Sequence, residues 1–350
     1  MKDFKLFSKV PELYKNMLKD INNAKKFILL ETYIYKNDEI GEKFKKALIK
    51  KAKQGVRINV LIDGWGSYVD KDYFKELIKL GADIRFFREI RYFIRFISKN
   101  HERNHRKLLI IDNDICYIGS ANITADCLKW RELTIRITGK IVQYFISAFM
   151  ETWEIYGKLT KKKIKSFLYR QYEILQDFPS KNHRIIEKKL KFLFRSAKKY
   201  IFIETPYFVP SPGITKALIN AVKRGVDVKI ILPYDSDVKI VDLFRNRYLG
   251  KFYEKGIKIF YYMPTTLHTK LLIVDDRFFM FGSSNLDYRS LLHQFEINIF
   301  GRNKKLILEL KKYFSETLKD SKPFDYNTWK KRSSFKRILE MIISYFENYL

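Results

Sequence analysis

Apolar residues recur along the chain in two modes, short continuous runs and longer stretches at helical spacing, and the two modes alternate. An apolar run at Phe27–Leu30 leads into a helical stretch stopped by Gly55, and a second run follows at Ile58–Ile62. The same order returns at Tyr200–Ile203, Gly225 and Val228–Leu232. Glycine just beyond the last periodic residue stops a helix because it adopts positive φ freely. The order is therefore βαβ, twice. A further helix ends near Gly81 or Gly256, and another strand follows at Asp83–Phe87 or Ile257–Tyr262. This pattern predicts an α/β protein: two tandem α/β/α sandwich halves, each with a mostly parallel central sheet.

The halves are related in detail. Ala24-Lys25-Lys26-Phe27-Ile28-Leu29-Leu30-Glu31-Thr32 recurs as Ala197-Lys198-Lys199-Tyr200-Ile201-Phe202-Ile203-Glu204-Thr205, preserving both the charge and the apolar pattern. A period close to half the chain length marks a duplicated domain. The expected divisions are 1–157 for the first half, 158–185 for a lysine-rich connection, 186–324 for the second half, and 325–350 for a basic amphipathic terminal helix.

The charge narrows the partner class. With 69 Lys and Arg against 39 Asp and Glu, the net charge of +30 attracts phosphate, on a membrane surface or on nucleic acid. Hydrophobic residues make up 46% of the 350, which excludes disorder for most of the chain. The two cysteines, Cys116 and Cys127, are too few for a disulfide scaffold and fit a reducing compartment. The start of the chain has no signal-peptide core, and no apolar run is long enough for a transmembrane helix.

The sharpest repeat carries the chemistry. His105-Arg106-Lys107, four apolar residues, Asp112, six residues, Gly119-Ser120, one residue and Asn122 recur as His268-Thr269-Lys270, Asp275, Gly282-Ser283 and Asn285, every interval kept at an offset of 163. Only five histidines exist, so two in identical polar frames are improbable by chance; His101, His183 and His293 lack the frame and read as surface or packing residues. Side chains two apart on a strand share a face, so each imidazole projects together with its lysine. The apolar runs Leu108–Ile111 and Leu271–Val274 read as strands buried on both faces, and turn residues after each aspartate fold a return strand that brings Asn122 or Asn285 back beside its histidine.

This duplicated frame resembles the signature of the phospholipase D superfamily, and the resemblance covers nearly the whole chain. It implies halves related by a pseudo-two-fold axis that pool their histidines. One imidazole would attack phosphorus to give a phosphohistidine, and the other would protonate the leaving alkoxide and then activate the acceptor. The identical frames do not say which attacks; His105 is expected as nucleophile and His268 as acid and base. By the same resemblance Lys107, Lys270, Asn122 and Asn285 would hold the non-bridging phosphate oxygens, while Glu132 and Glu296 would orient the histidines. Ser120 and Ser283 are expected as local hydrogen-bond partners, and Asp112 and Asp275 as hairpin supports. No cofactor is implied, and the sequence carries no metal-binding run around the motif.

Three flanking features resemble bacterial cardiolipin synthases: Arg103-Asn104-His105-Arg106-Lys107, Trp130-Arg131-Glu132 with Gly139 and Trp153 downstream, and Asn285-Leu286-Asp287-Tyr288-Arg289-Ser290. They imply transfer of a phosphatidyl group between phosphatidylglycerol molecules with release of glycerol; the charge and the cysteine usage point to a protein peripheral to the cytoplasmic side of the bacterial membrane. Phospholipid hydrolysis is the neighbouring alternative, and a nuclease a more distant one, since no nucleic-acid module is evident. A non-catalytic membrane-binding protein would not need two intact frames. Two basic amphipathic stretches, 84–99 and 330–349, are open both to lipid contact and to ordinary packing.

Overall fold

A computed structural model describes residues 1–88, 102–157, 164–180 and 184–344. The first half runs β1 (Phe4–Lys9), α1 (Val10–Asn23), β2 (Phe27–Thr32), α2 (Glu39–Ala52), β3 (Arg57–Asp63), α3 (Lys75–Lys79), β4 (Asp83–Phe87), β5 (Arg103–Asn104), β6 (Leu108–Ile111), β7 (Ile115–Gly119), β8 (Arg131–Thr138) and α4 (Val142–Ile155). The second runs β9 (Phe167–Tyr169), β10 (Tyr172–Asp177), α5 (Ile185–Ser196), β11 (Tyr200–Glu204), α6 (Pro212–Lys223), β12 (Asp227–Pro233), α7 (Lys239–Glu254), β13 (Lys258–Tyr262), β14 (Leu271–Val274), β15 (Phe278–Gly282), α8 (Tyr288–His293), β16 (Gln294–Gly301), α9 (Lys304–Lys319), β17 (Ser321–Pro323), α10 (Tyr326–Lys330) and α11 (Ser334–Ser344).

The first sheet has the order β1-β8-β7-β6-β2-β3-β4, and the second β17-β13-β12-β11-β14-β15-β16-β10-β9. In each, the predicted βαβ units form a parallel core, β2-β3-β4 or β11-β12-β13. The hairpins β6-β7 and β14-β15 join that core antiparallel, through β2 and β11. Strand β2 is buried throughout, and its alternation feeds two cores. Ile28 and Leu30 pack with Leu13, Phe44 and Leu48 of α1 and α2. Leu29 packs with Phe145 and Phe149 of α4, and this inner core continues through Ile273 and Phe281 to Leu310 and Phe314 of α9. Helices α5 and α6 cover the far side of the second sheet. The two halves thus share one apolar layer, which clamps them face to face.

Two expectations about boundaries change. Residues 158–185 are not simply a connection: β9 and β10 lie within them, and β10 pairs antiparallel with β16 as β1 pairs with β8. Tyr172, Ile174 and Leu175 are buried there, so the stretch completes the second sheet, but its short apolar pattern is obscured by interleaved charge. At the other end, 325–350 is two helices over the described residues, α10 and α11. The Trp329 indole of α10 sits where a Cβ on Gly250 of α7 would be, its Nε1 donating to the Asn246 carbonyl at 2.8 Å. Residues 89–101, including His101, lie outside the described residues, as do His183 and 345–350; of the basic stretch 84–99 only residues 84–88 are described, with Ile84, Phe86 and Phe87 buried.

Candidate active site

Each histidine follows a strand end that docks on the opposite half. Arg103 and Asn104 pair in parallel with Gln294 and Phe295 of β16, and the His105 N–H donates to the Phe295 carbonyl at 3.0 Å. Reciprocally, Leu267 bridges to Arg131 of β8, and the His268 N–H donates to the Arg131 carbonyl at 2.9 Å. The consequence appears in the side chains. His105 Nδ1 lies 3.0 Å from Glu296 Oε1, and His268 Nδ1 lies 2.8 Å from Glu132 Oε1. The dyads are crossed: each half supplies a histidine to the carboxylate of the other. With Nδ1 facing a carboxylate, the tautomer with Nδ1–H is favoured and Nε2 keeps its lone pair for chemistry.

The lysines, asparagines and serines of the motif assemble around these dyads, all buried. Lys107 Nζ donates to the His105 carbonyl at 2.5 Å, and Lys270 Nζ to the His268 carbonyl at 2.8 Å, so each ammonium is anchored through one of its three N–H groups. Asn122 accepts from the Ile34 N–H at 3.2 Å, whereas Asn285 Oδ1 is buried without a partner among the described residues. Ser283 donates to the second oxygen of Glu296, while Ser120 bonds, among the described residues, only the Leu133 backbone, at 3.2 and 3.1 Å. The glycines before these serines are explained by contact: a Cβ on Gly119 would lie 2.4 Å from the Leu133 carbonyl oxygen, and one on Gly282 2.3 Å from that of Ile297. Asp112 and Asp275 stand apart. Each sits at positive φ in its hairpin turn and accepts three backbone N–H groups, from Lys25, Lys26 and Phe27 or from Lys198, Lys199 and Tyr200. They pin the entry of β2 and β11 to the turn.

Burial, then the charges of Lys107, Lys270, His268 and Arg289, hold His105 protonation well below the ordinary imidazole range. Burial and Lys270 push Lys107 down to about 7, and burial lowers Lys270 to about 8 against the pull of surrounding carboxylates. Glu296 is raised by burial to about 7 although Lys107 opposes this. That each group feels members of both halves shows one cluster, a cationic pocket whose lysines are poised to regain full charge against an anion.

The halves are not copies in every respect. Glu31 is paired by Arg106 Nε at 3.3 Å and by Asn104 Nδ2 at 2.8 Å. Thr269 stands where Arg106 would be, so the equivalent Glu204 finds no guanidinium in its own half; neither of its oxygens has a hydrogen-bond partner among the described residues, and burial raises it to about 8. Tyr33 meets the His105 ring edge-on at 5.1 Å, and Trp130 meets His268 at 5.2 Å. Asp63 accepts from the Asn104 N–H at 2.8 Å and so holds β5. Tyr33, Asp63 and Gln294 are absent from the sequence reading; their signal is position, at the carboxyl ends of parallel strands for the first two and two residues before Glu296 for the third.

The sequence matches the family described as cardiolipin synthase, PLD-like domain, over residues 17–153 and 190–318. A cardiolipin synthase of Clostridium perfringens strain SM101 is 32% identical over 361 aligned positions, covering 97% of this chain and 75% of that protein. A cardiolipin synthase of Geobacillus sp. strain WCH70 is 33% identical over 352 positions, covering 95% and 69%. Among solved structures, phosphatidylserine synthase of Haemophilus influenzae Rd KW20 superimposes with a TM-score of 0.80 at 15% identity, over 99% of this chain and 95% of that one. At that identity the likeness speaks for the fold alone.

Proposed function

Since the chain belongs to the family of cardiolipin synthase, phospholipase D-like domains, we propose that it is a phosphatidyltransferase that converts two phosphatidylglycerol molecules into cardiolipin and glycerol through a phosphohistidine. The observation that carries this reading is the pair of crossed dyads, which bring two imidazoles and two ammonium groups from separate halves into one buried cluster. His105 Nε2 attacks phosphorus, and the glycerol oxygen leaves with a proton from His268. His268, now neutral, takes the proton of a glycerol hydroxyl on a second phosphatidylglycerol; that oxygen attacks phosphorus and expels His105. Two histidines thus split one displacement into two, with the proton returned at the end. Lys107, Lys270, Asn122 and Asn285 hold the non-bridging oxygens, where transition-state charge concentrates. The suppressed protonation of His105 suits the nucleophile, because only the neutral ring has a lone pair to offer.

Among the described residues no helix is long and apolar enough to cross a membrane. A peripheral site on the cytoplasmic face of the bacterial membrane is supported by the net charge of +30 and by α11, where Ile338 and Ile342 are exposed near Lys330, Lys331 and Arg337. The same helix is tied to the preceding link from α10 by Glu340, buried in an ion pair with Arg332 at 3.1 Å.

In detergent micelles containing phosphatidylglycerol, the purified protein is expected to form cardiolipin and glycerol in equal amounts. Phosphatidic acid as the sole lipid product would make it a hydrolase instead. The pH profile follows from the lysines. Because their free-enzyme values are depressed to about 7 and 8, the charge clamping phosphate is lost as pH rises through that window. The ratio kcat/KM, which reports the free enzyme, should therefore fall on the alkaline side from about pH 7 to 8. Protonation of the coupled His105–Glu296 pair sets the acid limb. A kcat/KM flat to pH 10 would contradict the assigned role of the two ammonium groups.

A further inference from the structure

The two frames repeat every member of the central cluster, but the turn after each asparagine breaks the repeat in charge. At the offset that superimposes the histidines, Thr124 corresponds to Asp287, and both cap the following helical turn: Thr124 accepts from the Asp126 N–H at 3.2 Å and Asp287 from the Ser290 N–H at 2.7 Å. Two residues beyond each cap the equivalent positions hold Asp126 and Arg289. Asp126 is exposed and forms an ion pair with Lys36 at 2.5 Å. Arg289 is half-buried and has no carboxylate within ion-pair distance among the described residues. The duplication therefore left an exposed anion at this position on one side of the pseudo-two-fold axis, and on the other a cation outside any ion pair among the described residues, which feels the buried Asp287 carboxylate only at longer range.

The position of that cation is tied to the chemistry by a chain of contacts. With the Gln294 amide oriented to satisfy its neighbours, its oxygen accepts from Arg289 Nε at 3.3 Å and its nitrogen donates to Glu296 Oε1 at 3.0 Å. The same Glu296 oxygen faces His105 Nδ1. Arg289 also acts electrostatically on the Tyr33 hydroxyl, whose ring lies against His105. Its Nε is thus engaged from below, and no other hydrogen bond occupies the terminal nitrogens among the described residues. At the first-half equivalent of Gln294 stands Trp130, which offers no amide to anchor such a group.

Lys107, Lys270, Asn122 and Asn285 suffice for one phosphate, the one undergoing displacement. In the proposed transfer a second phosphate is obligatory, because the acceptor phosphatidylglycerol carries its own phosphodiester, linked through the glycerol carbons to the attacking hydroxyl. Water and neutral alcohols carry none. A guanidinium presents a planar fork that pairs with two phosphate oxygens at once, which an ammonium does not. We propose that Arg289 forms a second phosphate subsite that holds the phosphodiester of the acceptor, and that this charge, present in one half only, directs the phosphatidyl group to an anionic acceptor in preference to water or a neutral alcohol. Arg289 is a specificity residue in this scheme. The inference rests on the transferase reading above and deepens it.

Soluble acceptors separate the two. With phosphatidylglycerol as donor, labelled glycerol 3-phosphate attacks to give phosphatidylglycerol phosphate, and labelled glycerol gives phosphatidylglycerol; each transfer releases one glycerol from the donor. The wild type is expected to favour glycerol 3-phosphate in kcat/KM. Arg289→Gln should lower that preference by roughly tenfold or more, as loss of a charge-assisted hydrogen bond does, and should shift the lipid products in micelles from cardiolipin towards phosphatidic acid. Arg289→Lys should recover part of the preference, since it restores the charge without the fork. A disturbance passed through Gln294 and Glu296 to His105 would slow both acceptors alike and leave their ratio unchanged; that result, or full discrimination in Arg289→Gln, would overturn the subsite. Absence of any transfer product from the wild type would instead defeat the transferase reading, and the subsite with it.

Discussion

His105→Ala and His268→Ala are each expected to abolish cardiolipin formation, lowering kcat by about 10⁴-fold or more, and the double variant should be scarcely worse than either. Groups that act as a unit are grossly non-additive, because removing one member already forfeits what the others do through it. The two single variants separate on a donor whose leaving group departs without a proton, such as a nitrophenyl phosphodiester. His268→Ala should then still form the covalent adduct on His105, detectable by mass spectrometry, whereas His105→Ala should form none. Adduct on His268 instead would reverse the assigned roles. Turnover surviving at a tenth of wild type in either variant would mean that the two imidazoles do not serve one phosphorus.

The second large effect tests the crossing of the dyads. A carboxylate that fixes an imidazole tautomer is worth about 10⁴ in kcat when replaced by its amide in the serine protease triad, because the ring turns to the wrong tautomer. Glu132→Gln and Glu296→Gln are expected to lose about 10³- to 10⁴-fold. The steps they affect should be exchanged relative to the half that carries them. Glu296 faces His105 at 3.0 Å, so its loss should slow adduct formation even on the nitrophenyl donor. Glu132 faces His268 at 2.8 Å, so its loss should be relieved on that donor, where no proton is needed for departure. The opposite pattern in single-turnover rates would indicate that each carboxylate serves its own half. Neither variant is expected to unfold the protein, because the shared apolar layer of Phe145, Phe149, Leu310 and Phe314 joins the halves independently of the dyads.

Much of this was visible along the chain. The βαβ order follows from continuous runs and glycine stops, and the strands β2, β3, β11 and β12 lie where those signals put them. Asp112 and Asp275 as hairpin supports could be inferred from turn chemistry, and the structure shows them gathering three N–H groups each. The strands β9 and β10 were hidden because Tyr172–Asp177 mixes charge with its apolar residues, and only the edge of β16 makes it a strand. The second-half carboxylate Glu204 looks equivalent to Glu31 in one dimension; in three, the substitution of Thr269 for Arg106 leaves it without a guanidinium of its own half, and the charge that draws on it is that of Arg131 from the other half.

The division has a physical basis. Spacing encodes whatever is local: which side chains share a strand face, where a hairpin returns, and that a histidine, a lysine and an asparagine of one half meet. The identity of the carboxylate beside each imidazole is not local. It depends on β5 docking against β16 and Leu267 against Arg131, contacts between segments more than a hundred residues apart whose pairing is chosen by the apolar layer that holds the halves together. The same packing gathers side chains that differ between the halves around the two rings, Tyr33 against His105 and Trp130 against His268, so that a duplicated frame becomes an asymmetric pocket.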